Sequence, residues 1–144
     1  MATQPTQNLK NHARYVPLFH FVLGTLVLAN LVHALRGLAS YSPERLSAAI
    51  VAFSLVLMFW FTRAFPVAVQ DRLIRLEERL RLQALAPELA GRFDQLTVGQ
   101  VVALRFAGDD EVVALAREVL EGRLTAPGDI KKAVKHWRAD TLRA

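Results

Sequence analysis

The sequence predicts an all-α membrane protein: a two-helix transmembrane hairpin, then a long amphipathic helix and a small cytoplasmic helical cluster. Three observations predict it. Tyr15 to Leu35 and Leu46 to Thr62 are runs free of formal charge when their histidines are neutral. The charged repeat VQDRLIRLEERLRL follows the second run almost at once. Beyond Leu85 the chain breaks into short apolar-periodic pieces punctuated by Gly, Pro and acids.

Composition supports this class and excludes others. An apolar fraction of 53% and a mean hydropathy of +0.24 are high for 144 residues of ordinary soluble protein. The absence of Cys removes disulfides, thiol catalysis and thiolate metal sites. The net charge of +5 invites a nucleic-acid partner, but its distribution argues against one. From Pro66 onward 13 basic residues face 12 acids, whereas residues 1–65 carry 5 basic residues and the single acid Glu44. The excess surrounds the apolar runs, as membrane orientation requires, and nucleic acid is not an expected partner.

Residues 1–14 read as a polar N-terminal tail in which Lys10, His12 and Arg14 flank the first span. The hairpin is expected over residues 15–65, with spans at about 15–35 and 46–65. A first helix from Tyr15 to Leu35 is roughly 31 Å long, about the thickness of a hydrocarbon core. Pro17 suits its first turn, where no helical N–H is needed. The run is long for a cleavable signal and a second apolar run follows, so an uncleaved span is expected. The polar turn RGLASYSPER comes next. There Ser42, Pro43 and Glu44 supply an N-cap, a first-turn proline and an acid for the helix dipole. Phe59, Trp60, Phe61 and Phe65 form an aromatic girdle at the far end of the second span, and Arg63 can snorkel there. Ala48 with Ala52, and Thr25 with Ala29, are small residues spaced for close helix approach.

Orientation follows from the basic residues near the span ends. Arg36 and Arg45 lie in the turn. Lys10, Arg14, Arg63, Arg72, Arg75, Arg79 and Arg81 lie on the opposite side. Both termini are therefore expected in the cytoplasm, with the hairpin in the bacterial inner membrane.

Residues 66–86 form the amphipathic helix. Val69, Leu73, Leu76 and Leu80 repeat at spacings of 4, 3 and 4, and Leu82 and Leu85 widen the stripe. Asp71–Arg75 and Glu77–Arg81 are i,i+4 pairs in the better orientation. The stripe can fold back onto the following helices, lie on the membrane surface, or pair with a second copy; folding back is the expectation.

The remaining residues, 87–144, divide into four short helices. Pro87 opens PELAGRF. Thr97 caps a helix with the face Val98, Val101, Val102 and Phe106, ended by Gly108. Asp109 caps the next, with Asp110 and Glu111 at its positive end and Val112, Ala116, Val119 and Leu120 facing inward, to about Gly122. Thr125 and Pro127 open the last, with the face Ile130, Val134, Trp137 and Thr141.

No GxSxG, HExxH, Walker-type or GxGxxG motif is present, and no catalytic constellation is implied. Polar residues inside the first span are the leads for a small-molecule site, because polarity at membrane depth is costly. These are His20, Asn30 and His33, and haem or lipid is the ligand class they suggest. A haem would need an axial ligand from another chain, since the second span has no histidine. No cofactor is otherwise implied. For contacts with a partner protein, a second copy or the inner leaflet, the candidates are Val69, Arg72, Leu73, Arg75, Leu76, Glu78, Arg79 and Leu80. Lys131, Lys132 and Lys135, opposite the apolar face of the last helix, are the candidates for acidic headgroups.

KNHARYVPLFHFV, VQDRLIRLEERLRL, LRFAGDDEVVALA and IKKAVKHWRADTLR together resemble the uncharacterised bacterial family DUF6526. The resemblance covers nearly the whole chain, and its most specific part is the block after the second span. It implies a bacterial membrane protein with two spans and a cytoplasmic helical tail, and carries no activity to any residue. A membrane-anchored interaction or scaffold protein is the function expected; a membrane subunit holding haem or lipid through the first span is the alternative.

Overall fold

Hydrogen-bonding periodicity in a computed structural model, which describes residues 7–11 and 15–139, places most of those residues in helices. The elements are α1 (Gly24–Gly37), α2 (Pro43–Leu85), α3 (Pro87–Ala90), α4 (Val98–Leu104), α5 (Val112–Leu120) and α6 (Pro127–Ala133). A π-helical stretch, Leu18–Leu23, precedes α1, and a 3-10 turn, Phe93–Gln95, precedes α4. Among the described residues there is no strand, only an isolated antiparallel bridge between Ala107 and Trp137. The expected roles of His12, Arg14 and Thr141 lie outside the described residues.

Two units are distinguished, one within Arg14–Val67 and the other within Ala68–Ala144 with the described part of Met1–Ala13. In the first unit, the π stretch and α1 together form a helix of 20 residues. It and α2 are each long and apolar enough to cross a membrane. The expected start of the second helix is present: the Arg45 amide donates to Ser42 Oγ at 3.3 Å, with Pro43 in the first turn. Arg45 does more than flank the turn. Its Nη1 donates to the Ser40 carbonyl at 2.6 Å and the Gly37 carbonyl at 3.4 Å, satisfying acceptors where α1 ends.

Small residues bring the two helices of this unit together, but not the pairs the sequence suggested. Ala34, Ala49 and Ala52 are buried, with Leu31 and Leu38 against them. Ala48, Thr25 and Ala29 are exposed. Nearer the other end Phe19 stacks on Phe59 with centroids 4.7 Å apart. A Cβ at Gly24 would come within 3.4 Å of the Phe59 ring. The remaining faces stay open: Leu26, Phe53, Leu55, Met58, Trp60 and Phe65 are all exposed.

The amphipathic segment is not a separate helix. It is the second half of α2, which continues through Pro66. In the unit from Ala68 onward, Ile74, Leu82, Ala86, Leu89, Phe93, Leu96, Val101, Leu104, Val112, Leu115, Val119 and Ile130 form one core. This corrects the expected packing face, of which Leu82 alone is interior. Val69, Leu73, Leu76 and Leu80 are 67%, 54%, 54% and 57% exposed, whereas Ile74, Glu78 and Leu82 are 5%, 4% and 2% exposed. The helix does fold against the following residues, but through the face with fewer leucines.

Further departures are local. Thr97 and Gln100 make a reciprocal capping box at α4, as the N-cap required. Val98, expected inward, is exposed. Phe106 is buried beyond the helix end. Asp109 does not cap α5; the Val112 amide bonds to the Gly108 carbonyl at 2.9 Å and the helix begins there. Gly122, with φ of +78°, ends it in the left-handed conformation that glycine adopts freely. The last helix stops at Ala133, because Val134 turns extended. Trp137 therefore reaches the core from an extended segment, tilted against Phe106 at 5.0 Å.

Candidate functional site

Two groups of polar residues carry the chemistry to be placed: those in the first apolar helix, and those around the second half of α2. In the first apolar helix the three residues do not converge. His20 sits in the π stretch, half-buried, with Nδ1 3.0 Å from both the amide and the carbonyl of Val16. Its ring meets Tyr15 and Phe19 edge-on at 5.6 and 5.2 Å. Asn30 and His33 are exposed on α1. Thirteen residues along a helix separate His20 from His33 by roughly 20 Å, so the pair of one chain cannot bind one iron. Among the described residues no group of three His, Asp or Glu side chains is placed to hold a metal ion.

Around α2 the arrangement is dense. Arg81 is largely buried and uses three donors: Nε to Asp109 Oδ1 at 2.7 Å, Nη2 to the Ala107 carbonyl at 2.7 Å and Nη1 to Glu78 Oε2 at 3.1 Å. Arg138 approaches the other Glu78 oxygen at 3.6 Å. Burial raises the Glu78 carboxyl above the ordinary range, opposed by the positive charges of Arg81 and Arg138. Arg75 donates to the Leu96 carbonyl at 2.9 Å and to Asp94 at 3.3 Å, while Arg79 reaches the same carboxylate at 3.4 Å. Both guanidinium groups lie over the Phe93 ring. The expected i,i+4 pairs give way to these contacts: Arg75 turns to Asp94 and Arg81 to Glu78, Asp109 and the Ala107 carbonyl.

The three acids at positions 109–111 join three parts of the unit. Asp109 takes Arg81 from α2. Asp110 pairs with the His136 imidazole, which it holds above its usual range by accepting its hydrogen bond; the same bond lowers the Asp110 carboxyl. Glu111 accepts the backbone amides of Lys135 at 3.1 Å and His136 at 2.9 Å. Gly108 allows the close approach: its amide donates to the His136 carbonyl at 2.8 Å. A Cβ there would meet the Asp110 carboxylate and lie 3.2 Å from that carbonyl. The sequence suggested Asp109 as a helix cap and Asp110 and Glu111 as helix-dipole residues. Three in a row exceed what one helix start needs, and that surplus was the available signal.

The expected contact residues now sort by position. Val69, Arg72, Leu73, Leu76 and Leu80 form an exposed surface on α2, with Glu77 beside it. Glu78 is interior, and Arg75 and Arg79 are committed to Asp94. The basic trio is split. Lys131 lies over the Phe106 ring at 5.6 Å, Lys132 pairs with Asp129 at 2.9 Å, and Lys135 belongs to the extended segment beyond α6. They do not share one helix face.

Comparison with curated proteins and with solved structures finds no match. Among protein families, the one described as a family of unknown function, DUF6526, matches residues 1–144, the whole length of the sequence, and the chain belongs to that family.

Proposed function

We propose that this protein is a membrane-anchored interaction module. The hairpin of residues 15–65 seats in the bacterial inner membrane with both termini in the cytoplasm. The helical unit from Ala68 onward is held at the inner leaflet and presents α2 for docking. The observation that carries this reading is an apolar hairpin whose large side chains, Leu26, Phe53, Met58 and Trp60 among them, remain exposed on helices of spanning length. A water-soluble fold would bury them.

The natural chain lacks cysteine, so topology is measurable by single-cysteine labelling. With a membrane-impermeant maleimide, Ser40→Cys is expected to react in intact spheroplasts and Lys132→Cys only after permeabilisation. Recovery of the protein in the supernatant after carbonate extraction, or the reverse labelling pattern, would defeat the proposal.

A further inference from the structure

The exposed residues Val69, Leu73, Leu76 and Leu80 lie on the side of α2 away from the buried Ile74, Glu78 and Leu82. Their spacing of 4, 3 and 4 places them at the d and a positions of a heptad seam. In that register Arg72 and Arg79 take g positions, and Gln70 and Glu77 take e positions. In a parallel helix pair each g residue faces the e residue five places later on the other helix. Arg72 then meets Glu77 of the second copy, twice by symmetry. An antiparallel pair sets g against g and e against e, opposing Arg with Arg and Glu with Glu. Arg72 and Glu77 are both exposed. A lipid surface suits the stripe less well, since an anionic leaflet favours basic residues on both flanks and Glu77 occupies one.

We infer that this stripe is covered by the same stripe of a second copy, in a parallel pair keyed by Arg72 and Glu77. The inference rests on membrane anchoring. Two heptads are short for an independent coiled coil, and confinement of both copies to one bilayer supplies the local concentration the seam needs.

The test is disulfide cross-linking of the full chain in native membranes. Leu76→Cys is expected to give a covalent dimer on oxidation, and Asp71→Cys, at an f position, is not. In the Leu76→Cys background, Arg72→Glu is expected to lower the cross-linked fraction roughly ten-fold, because two attractive pairs become repulsive. Adding Glu77→Arg restores it. Absence of a Leu76→Cys dimer, equal cross-linking from Asp71→Cys, or failure of the double reversal to restore it overturns the inference. Protection of Leu76→Cys from a water-soluble maleimide without any dimer does the same, and assigns the stripe to lipid or another protein. Carbonate extraction of the same samples separates the two readings. Chain in the supernatant defeats anchoring, while chain in the pellet without dimer defeats only the pairing.

Discussion

Arg81 shows what a single side chain does when its charge is enclosed. It neutralises Glu78, reaches Asp109 and caps the Ala107 carbonyl, so its removal strands an interior carboxylate. Arg81→Ala is expected to destabilise the unit by about 3–5 kcal/mol, measured by thermal or denaturant unfolding of the full chain in detergent. Glu78 sets a pH dependence of its own. Its carboxyl has a higher pKa folded than unfolded, so the fold gains stability as pH falls toward the unfolded value and loses it as pH rises through the folded one. Glu78→Gln removes this dependence, and the wild type should gain on the variant as the solution is acidified. The exposed His136–Asp110 pair works within a different window. His136, raised, contributes below its ordinary 6.5 and ceases as pH rises through its folded value; Asp110, lowered, ceases as pH falls through its own. An NMR titration should place His136 above 6.5 in the wild type and bring it down in Asp110→Asn.

Four helix starts were legible because their determinants are local, while that of α5 was not, since Asp109 turns to Arg81 instead of capping it. Ser42 with Pro43, Pro87, Thr97 with Gln100, and Pro127 each sit where a helix begins. Thr97→Ala is expected to lose about 1 kcal/mol of stability, since it removes the hydroxyl that accepts the Gln100 amide and leaves only the reverse bond of the capping box, from the backbone amide of residue 97 to Gln100 Oε1. Inward faces were harder. A hydrophobic count ranks the leucine stripe of α2 above Ile74, Glu78 and Leu82, because the latter set contains an acid. Long-range partners decided otherwise: Asp94, Asp109 and the Leu96 and Ala107 carbonyls draw Arg75 and Arg81 across. The same blindness to distant partners hid the extended segment after Val134, whose pairing depends on Gly108 and Glu111. Gly108→Ala should crowd that junction and destabilise it by about 1–3 kcal/mol, with faster amide exchange at Arg138, whose amide bonds to the Phe106 carbonyl.

For the molecule as a whole, the all-helical class and two helices of spanning length follow from apolar run length, which needs no knowledge of tertiary contacts. Polar residues in the first apolar helix illustrate the opposite case: sequence marks them as unusual, but only coordinates show that His20 is tied to Val16 while Asn30 and His33 stand apart. At this scale, truncating Phe93, enclosed in the core and covered by Arg75 and Arg79, should lose about 3–5 kcal/mol in Phe93→Ala. The expected readout is a lowered melting temperature of the unit from Ala68 onward within the full chain, with the hairpin still recovered in the membrane pellet.

Pro66 has no amide hydrogen, so the Thr62 carbonyl one turn earlier lacks its usual helical donor, while the Thr62 hydroxyl already gives its proton to Met58 at 2.6 Å. Oil offers such an oxygen nothing, and water or a headgroup offers it a great deal. For a hairpin seated in lipid, that missing rung favours a depth at which water or a headgroup reaches Thr62, with the dry stretch on its Leu46 side.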